Sequence, residues 1–289
     1  MRKFCAREKA MKKSYKIEVK QGKRFQFGEN WRHFLLVLND KHIAEAEKSL
    51  KQMLKLDTLQ DKSFLDIGSG SGLFSLAAHR LGAKVYSFDY DHDSVACTQE
   101  LKRRYFSMDD SDWIIDEGSV LDLDYLKSLG QFDIVYSWGV LHHTGDMWRS
   151  LENVSLTVAN GGQLFIAIYN DQGGWSKRWK QIKKTYNTLP KFFRLPFAIL
   201  VLFPREIKLM GVALLTLRIN SYIQYWLQYH ENRGMSRWHD LIDWIGGYPF
   251  EVAKPEEIFE FYRARGYTLE RLKTCAGGLG CNQFLFSKQ

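Results

Sequence analysis

The stretch Phe64-Leu65-Asp66-Ile67-Gly68-Ser69-Gly70-Ser71-Gly72 constrains the fold more than any other part of this 289-residue chain. Phe64 to Ile67 reads as the end of a buried strand. Gly68, Gly70 and Gly72 then make a turn that residues without a Cβ adopt cheaply. Leu73-Phe74-Ser75-Leu76-Ala77-Ala78 opens an amphipathic helix that runs to about Gly82. Strand, glycine turn and helix present a helix N-terminus and bare backbone to a nucleotide-like ligand in an open α/β sheet.

The glycine spacing narrows the ligand. A dinucleotide fingerprint, G-x-G-x-x-G, needs a third glycine where this chain has Leu73. A second strand, Lys84-Val85-Tyr86-Ser87-Phe88, ends in Asp89, and an acid at that tip can accept both hydroxyls of a ribose. The site therefore asks for an adenosine whose 5′ substituent passes over glycine backbone, with no cradle for a pyrophosphate. The competing reading is a structural turn flanked by two surface aspartates. The combination of Asp66, the turn and Asp89 resembles the S-adenosylmethionine site of class I methyltransferases. The resemblance implies S-adenosylmethionine as cofactor, held by Asp66, Gly68, Ser69, Gly70, Gly72, Asp89, Tyr90, Ser119, Val120 and Trp138.

A hydrophobic content of 45% is ample for a core and excludes a disordered chain. Cys5, Cys97, Cys275 and Cys281 form neither a C-x-x-C pair nor a zinc-type cluster, so they read as reduced thiols in a cytoplasmic protein. No signal peptide is visible behind the basic N-terminus. The net charge of +8 is unevenly spread. Residues 1–24 carry ten Lys/Arg against Glu8 and Glu18, and residues 172–208 carry nine against Glu206 alone. Two basic segments on an acidic body point to an anionic partner, phospholipid or nucleic acid, or else to plain solvated surface.

Alternation of strands and helices from residue 63 to 169 argues a parallel, doubly wound sheet. Strands are expected at about 63–67, 84–89, 113–117, 132–137 and 163–169. A helix over 147–158 is expected to stop at Asn160-Gly161-Gly162. Alternation resumes at Lys254 with a helix begun by Pro255 and two strands, 269–274 and 282–286, read as a hairpin. A hairpin after a parallel core matches the end of the methyltransferase fold, which implies a Rossmann-like, seven-stranded sheet. The expected organisation is a basic N-terminal segment and cap helix (1–60), a cofactor-binding core (61–169), a helical insertion (170–250) and the C-terminal part of the core (251–289). Residues 1–24 lack apolar periodicity and are expected to be loose at the start. Asp40 is the expected cap of a helix over 41–56.

The insertion holds two uncharged apolar runs, 195–204 and 209–217. Neither approaches the roughly twenty residues that span a bilayer. Flanked by basic and aromatic residues, they suit either a helix lying in a membrane interface or a buried helical lid. Peripheral attachment to the inner membrane surface is the corresponding expectation. Tyr222, Tyr225, Trp226 and Tyr229 suit a substrate pocket or a helix seam.

Methyl transfer needs alignment and a route for the acceptor's proton. Ser137-Trp138-Gly139-Val140-Leu141-His142-His143-Thr144 falls at the crevice edge and resembles the S-x-x-x-L-H-H stretch of the ubiquinone-biosynthesis O-methyltransferases. The resemblance places Trp138 against the cofactor and offers His142 or His143 as the base; the alternative is that both hold the loop. The Asn/Asp-Pro-Pro-aromatic stretch of base-amine methylases is missing, so nucleic acid is the less favoured partner. No metal is expected, with Asp171 the acid to watch. His239 and Asp243, at i and i+4, could read an acceptor's polar groups. The sequence thus favours S-adenosylmethionine-dependent O-methylation of a small or lipid-linked, quinone-like acceptor. RNA methylation and a non-catalytic cofactor-binding adaptor are the alternatives.

Overall fold

The structure, a computed structural model, describes residues 2–227 and 237–289. Three helices precede the sheet: α1 (Arg2–Lys20), α2 (Gly28–Val37) and α3 (Asp40–Leu54). The core then runs β1 (Ser63–Ile67), α4 (Leu73–Arg80), β2 (Lys84–Asp89), α5 (His92–Tyr105), β3 (Trp113–Glu117), α6 (Leu123–Leu129) and β4 (Phe132–Trp138). A 3₁₀ turn at Leu141–His143 leads to α7 (Met147–Ser155) and β5 (Val158–Tyr169). Helices α8 (Gly174–Thr188), α9 (Lys191–Leu215), α10 (Ile219–Leu227) and α11 (Arg237–Gly246) follow, before α12 (Pro255–Arg263), β6 (Tyr267–Lys273) and β7 (Cys281–Lys288).

The seven strands lie in the order β3-β2-β1-β4-β5-β7-β6, parallel from β3 to β5, with β7 antiparallel to both neighbours. Period-two alternation sends Leu65, Ile67 and Val135 to one face, against Leu151 of α7 and Ile258 of α12. It sends Phe64, Ile134 and Tyr136 to the other, against Leu50 of α3 and Leu76 of α4. The strand order reverses between β1 and β4, so the crevice at their carboxyl ends is where an open α/β sheet binds its ligand. The expected doubly wound sheet and closing hairpin are both present.

Several boundaries differ from the sequence expectation. Residues 2–20 form a helix rather than a loose start. Tyr15 is buried against Tyr90, and Glu18 takes the Tyr90 hydroxyl, which together hold the segment to the core. Asn39, not Asp40, caps α3: its Oδ1 accepts the His42 N–H at 3.2 Å. Helix α7 stops at Ser155, and Asn160-Gly161-Gly162 lies inside β5, where pairing with β4 shifts register between Phe132 and Ile134. The two apolar runs of the insertion join into α9, with Pro196 and Pro204 inside it. Its inner side packs Ala198 and Leu202 on Tyr186, Leu241 and Ile245. Tyr229 and the side chains of Tyr225, Trp226 and His239 lie outside the described residues.

Candidate active site

The three glycines of the β1–α4 turn have positive φ: +79° at Gly68, +55° at Gly70 and +80° at Gly72. A Cβ at Gly68 would stand 2.4 Å from Val140 Cγ1, at Gly70 3.0 Å from the Trp31 indole, and at Gly72 2.9 Å from Thr98. The turn is thus boxed in by the loop after β4, by α2 and by α5. Gly68 and Ser69 donate their N–H groups to the Phe88 carbonyl at 2.8 and 3.1 Å, and Ser69 Oγ meets Thr98 Oγ1 at 2.9 Å.

Asp89, at the tip of β2, is half-buried and faces this turn. Its Oδ2 accepts the Gly70 N–H at 2.9 Å, and its Oδ1 accepts the Asp91 N–H at 2.8 Å. Burial, and then the neighbouring Asp91 charge, push its carboxyl up to about 7. Asp66 lies beneath the turn. It accepts the Ser75 hydroxyl at 2.5 Å, Ser75 accepts Ser87 at 2.7 Å, and Ser87 accepts the Trp113 indole N–H at 2.9 Å. Burial pushes Asp66 to about 7 as well. Its geometry is that of a brace under the turn, while Asp89 is the acid beside it.

The other residues expected to hold the cofactor stand at or just after the carboxyl ends of β2, β3 and β4. Tyr90 packs edge-on to Tyr15 at 5.5 Å, lies 4.8 Å from the Arg24 guanidinium and donates to Glu18 Oε1 at 2.9 Å. Ser119 Oγ accepts the Leu121 N–H at 3.2 Å, and the carbonyl of buried Val120 accepts Asn153 Nδ2 at 2.9 Å. Trp138, at the end of β4, is 43% exposed. Helices α1 and α2 roof this edge: Trp31 lies over Gly70, and the Gly28 N–H donates to Asp91 Oδ2 at 2.8 Å.

The two histidines separate clearly. His142 is fully buried, 3.9 Å from the Tyr169 ring. The Tyr169 N–H points at its Nδ1 at 3.3 Å, so the neutral ring carries its proton on Nε2, an atom without a hydrogen-bond partner among the described residues. His143 has the opposite tautomer. Its Nδ1 lies 2.6 Å from the Pro249 carbonyl, which can only accept, so Nε2 keeps its lone pair. Burial lowers both rings, His143 to about 3 and His142 well below the ordinary range.

Lys183 is the residue sequence reasoning misplaced. It belongs to the basic run of 172–208, yet it is fully buried and donates to the Trp244 carbonyl. Its ammonium lies 4.9 Å from the Trp244 ring centroid, 5.0 Å from that of Phe250 and 6.0 Å from that of Tyr169. Burial lowers it to about 7, against the opposing pull of Asp243. The signal was in the sequence: Trp179, Ile182 and Tyr186 put Lys183 on the apolar stripe of α8. Asp243 accepts Asn30 Nδ2 from α2, which ties α11 to the roof. Asp171 Oδ1 accepts the Gly173 N–H at 2.8 Å, and no three acidic, His or Cys side chains gather as for a metal ion among the described residues. Nor is any described helix long and apolar enough to cross a membrane.

Comparison with known proteins agrees with this geometry. A family model described as a methyltransferase domain matches residues 38–198. The chain is 42% identical over 82 residues to a ribosomal protein L11 methyltransferase of Prochlorococcus marinus, covering 28% of this chain and 23% of that protein. It is 29% identical over 128 residues to a ubiquinone biosynthesis O-methyltransferase of Coxiella burnetii, covering 42% of this chain and 49% of that one. These matches span half or less of the relatives' length. Among solved structures, PKMT2 of Rickettsia typhi in complex with AdoHcy shares the fold at a TM-score of 0.55 and 15% identity, covering 84% of this chain and 52% of that one.

Proposed function

The chain belongs to the methyltransferase-domain family, and from that premise we propose that it transfers a methyl group from S-adenosylmethionine to a hydroxyl oxygen of a small or lipid-linked, quinone-like acceptor. The observation that carries the cofactor assignment is the pairing of the glycine turn with Asp89. Backbone at Gly68 and Gly70 leaves no room for a Cβ, and a carboxylate stands beside it where ribose hydroxyls can be accepted. Gly68, Ser69, Gly70 and Asp89 would hold the cofactor's ribose and 5′ substituent, with Ser119, Val120 and Trp138 along the same crevice. S-adenosylmethionine supplies an electrophilic methyl group.

The chain's own part is alignment and the handling of one proton. The tautomer of His143 supports it as the group that receives the acceptor's hydroxyl proton, at Nε2. A ring held near 3 stays unprotonated through the neutral range but is a weak base, so its help falls toward the low end of the usual 10²–10⁴-fold, roughly a hundredfold. His142, with its proton on Nε2, supports the loop through Tyr169. The quinone-like class draws on the likeness to the ubiquinone enzyme and on the exposed apolar side of α9, which suits an acceptor met at an anionic membrane surface.

Incubation with labelled S-adenosylmethionine and fractionated extract tests the reading. Label entering an organic-soluble, alkali-stable product supports it. Label entering RNA, or binding without turnover on any fraction, overturns it.

A further inference from the structure

A cavity of about 1020 Å³ borders neither the glycine turn nor His142 and His143. It opens between α1, the start of α5 and the connection from α8 to α9. Lys12, Lys16 and Lys20 recur at i, i+4 and i+8, so one face of α1 supplies one wall. Lys191 and Arg194 at the start of α9 supply the facing wall. The floor is built closely: Gly22 approaches the Asn187 carbonyl so tightly that a Cβ would stand 2.6 Å from it. Arg194 pins the connection by donating to Leu189 and Asn187 carbonyls at 3.0 and 2.9 Å.

The charges of this cavity do not cancel. Asp91 is taken up by the N–H groups of Gly28 and Asp93, and Asp93 by Gln26 and Arg32. Glu29 remains on the rim. Lys12 meets His92 Nε2, but Lys16, Lys20 and Lys191 have no ion-pair partner among the described residues. Three exposed ammonium groups therefore converge on one opening that has room for a phosphate.

Beside Lys191 begins an apolar surface that no described element covers. Phe193, Leu200, Phe203, Ile207, Met210 and Leu214 recur at helical spacing and are all exposed, Leu200 at 71%. They lie opposite Ala198 and Leu202, the inner side of α9. A helix of this kind, with basic residues at its flanks, fits a bilayer interface with its apolar side among the acyl chains. The phosphate level then falls at its basic end, where Lys191 and the cavity stand.

We propose that the cavity between α1 and the α8–α9 connection binds the phosphate group of an anionic membrane lipid, with the outer stripe of α9 lying in the bilayer interface beside it. This deepens the reading above by naming the surface where the acceptor is met. It is measured as binding without turnover, so its failure leaves methyl transfer standing.

The test is co-sedimentation of the full chain with vesicles of phosphatidylcholine, alone or with phosphatidylglycerol added. Binding is expected to be much tighter with phosphatidylglycerol than with phosphatidylcholine alone. A triple variant, Lys16→Ala, Lys20→Ala and Lys191→Ala, is expected to bind on the order of a hundredfold more weakly at low salt. Leu200→Ser with Phe203→Ser is expected to keep that charge dependence but lose the binding that persists at high salt. Removing Lys41, Lys48 and Lys51 from α3 controls for net charge. Thermal melting confirms that each variant folds. Equal binding to phosphatidylcholine alone, or equal weakening by the α3 variant, overturns the headgroup site. Binding of soluble glycerol phosphate or RNA with no vesicle binding overturns the lipid assignment.

Discussion

Gly70 and Asp89 meet across 2.9 Å, the backbone N–H of the glycine turn donating into the carboxylate at the tip of β2. Together with the Gly68 and Ser69 N–H bonds to the Phe88 carbonyl, this bond ties the turn to the end of β2. It also makes Asp89 do two things: hold the turn and offer its remaining lone pairs outward.

Asp89→Ala is accordingly expected to weaken S-adenosylmethionine binding by about 1.5–3 kcal/mol, through loss of a charged acceptor. The same acid predicts a pH dependence. Its carboxyl is raised to about 7, so it gains a proton as pH falls below that value and ceases to be a charged acceptor. Affinity should therefore be full above pH 7 and fall by up to about tenfold per pH unit below it. Asp89→Asn should be weak and flat. Calorimetry across this range decides it; a wild-type affinity that ignores pH removes Asp89 from the site.

The histidines predict a split result. His143→Gln should lower turnover by about 10²-fold with cofactor affinity preserved, because Nε2 is the open acceptor. His142→Gln should act mainly on stability, since the Tyr169 N–H and the tilted Tyr169 ring are what it serves. With His143 held near 3, its loss should not move an activity limb between pH 5 and 8. Steady-state kinetics of both variants, beside their thermal melts, check this. Wild-type turnover in His143→Gln would leave the proton to another group.

Gly68→Ala tests the turn itself. With φ at +79° and Val140 Cγ1 2.4 Å from the new methyl, the loop after β4 must move. The backbone strain alone is worth roughly 1–2 kcal/mol. Lower stability and weaker cofactor binding are expected together; a variant that melts and binds like wild type would show the loop to be pliable.

Local signals carried the fold well. Gly68, Gly70 and Gly72 fix a turn by backbone sterics, and Phe64 with Leu65 alternate faces by strand geometry, so both are legible within a few residues. What the sequence hid was long-range. The covering of the turn by α1 and α2 depends on Tyr15 meeting Tyr90 and Trp31 meeting Gly70, pairs far apart in the chain. The difference between His142 and His143 depends on a backbone N–H from β5 and a carbonyl at Pro249. No spacing rule carries that information. Lys183 is the opposite case: its charge places it in the basic run of 172–208, while its helical spacing from Trp179 and Tyr186 places it on the apolar stripe of α8.

That buried lysine yields the last prediction. Lys183 keeps its proton up to about 10.4 in an unfolded chain, but burial lowers it to about 7 in the native one. Between these values the unfolded state binds the extra proton. Native stability attributable to this group therefore rises with pH from about 7 towards 10. Below pH 7 both states hold the charge, and the native state bears its full desolvation cost. Lys183→Met removes the titration while keeping the side chain's length. It also leaves the Trp244 carbonyl without its donor, a loss that does not change with pH. The wild type should thus gain on the variant by an amount on the order of a few kcal/mol between pH 7 and 9.5. Denaturant unfolding of both proteins at the two pH values measures the difference directly. If the gap between them is the same at both, Lys183 is charged throughout, and the rings of Trp244 and Phe250 stabilise the ammonium well enough to offset its burial.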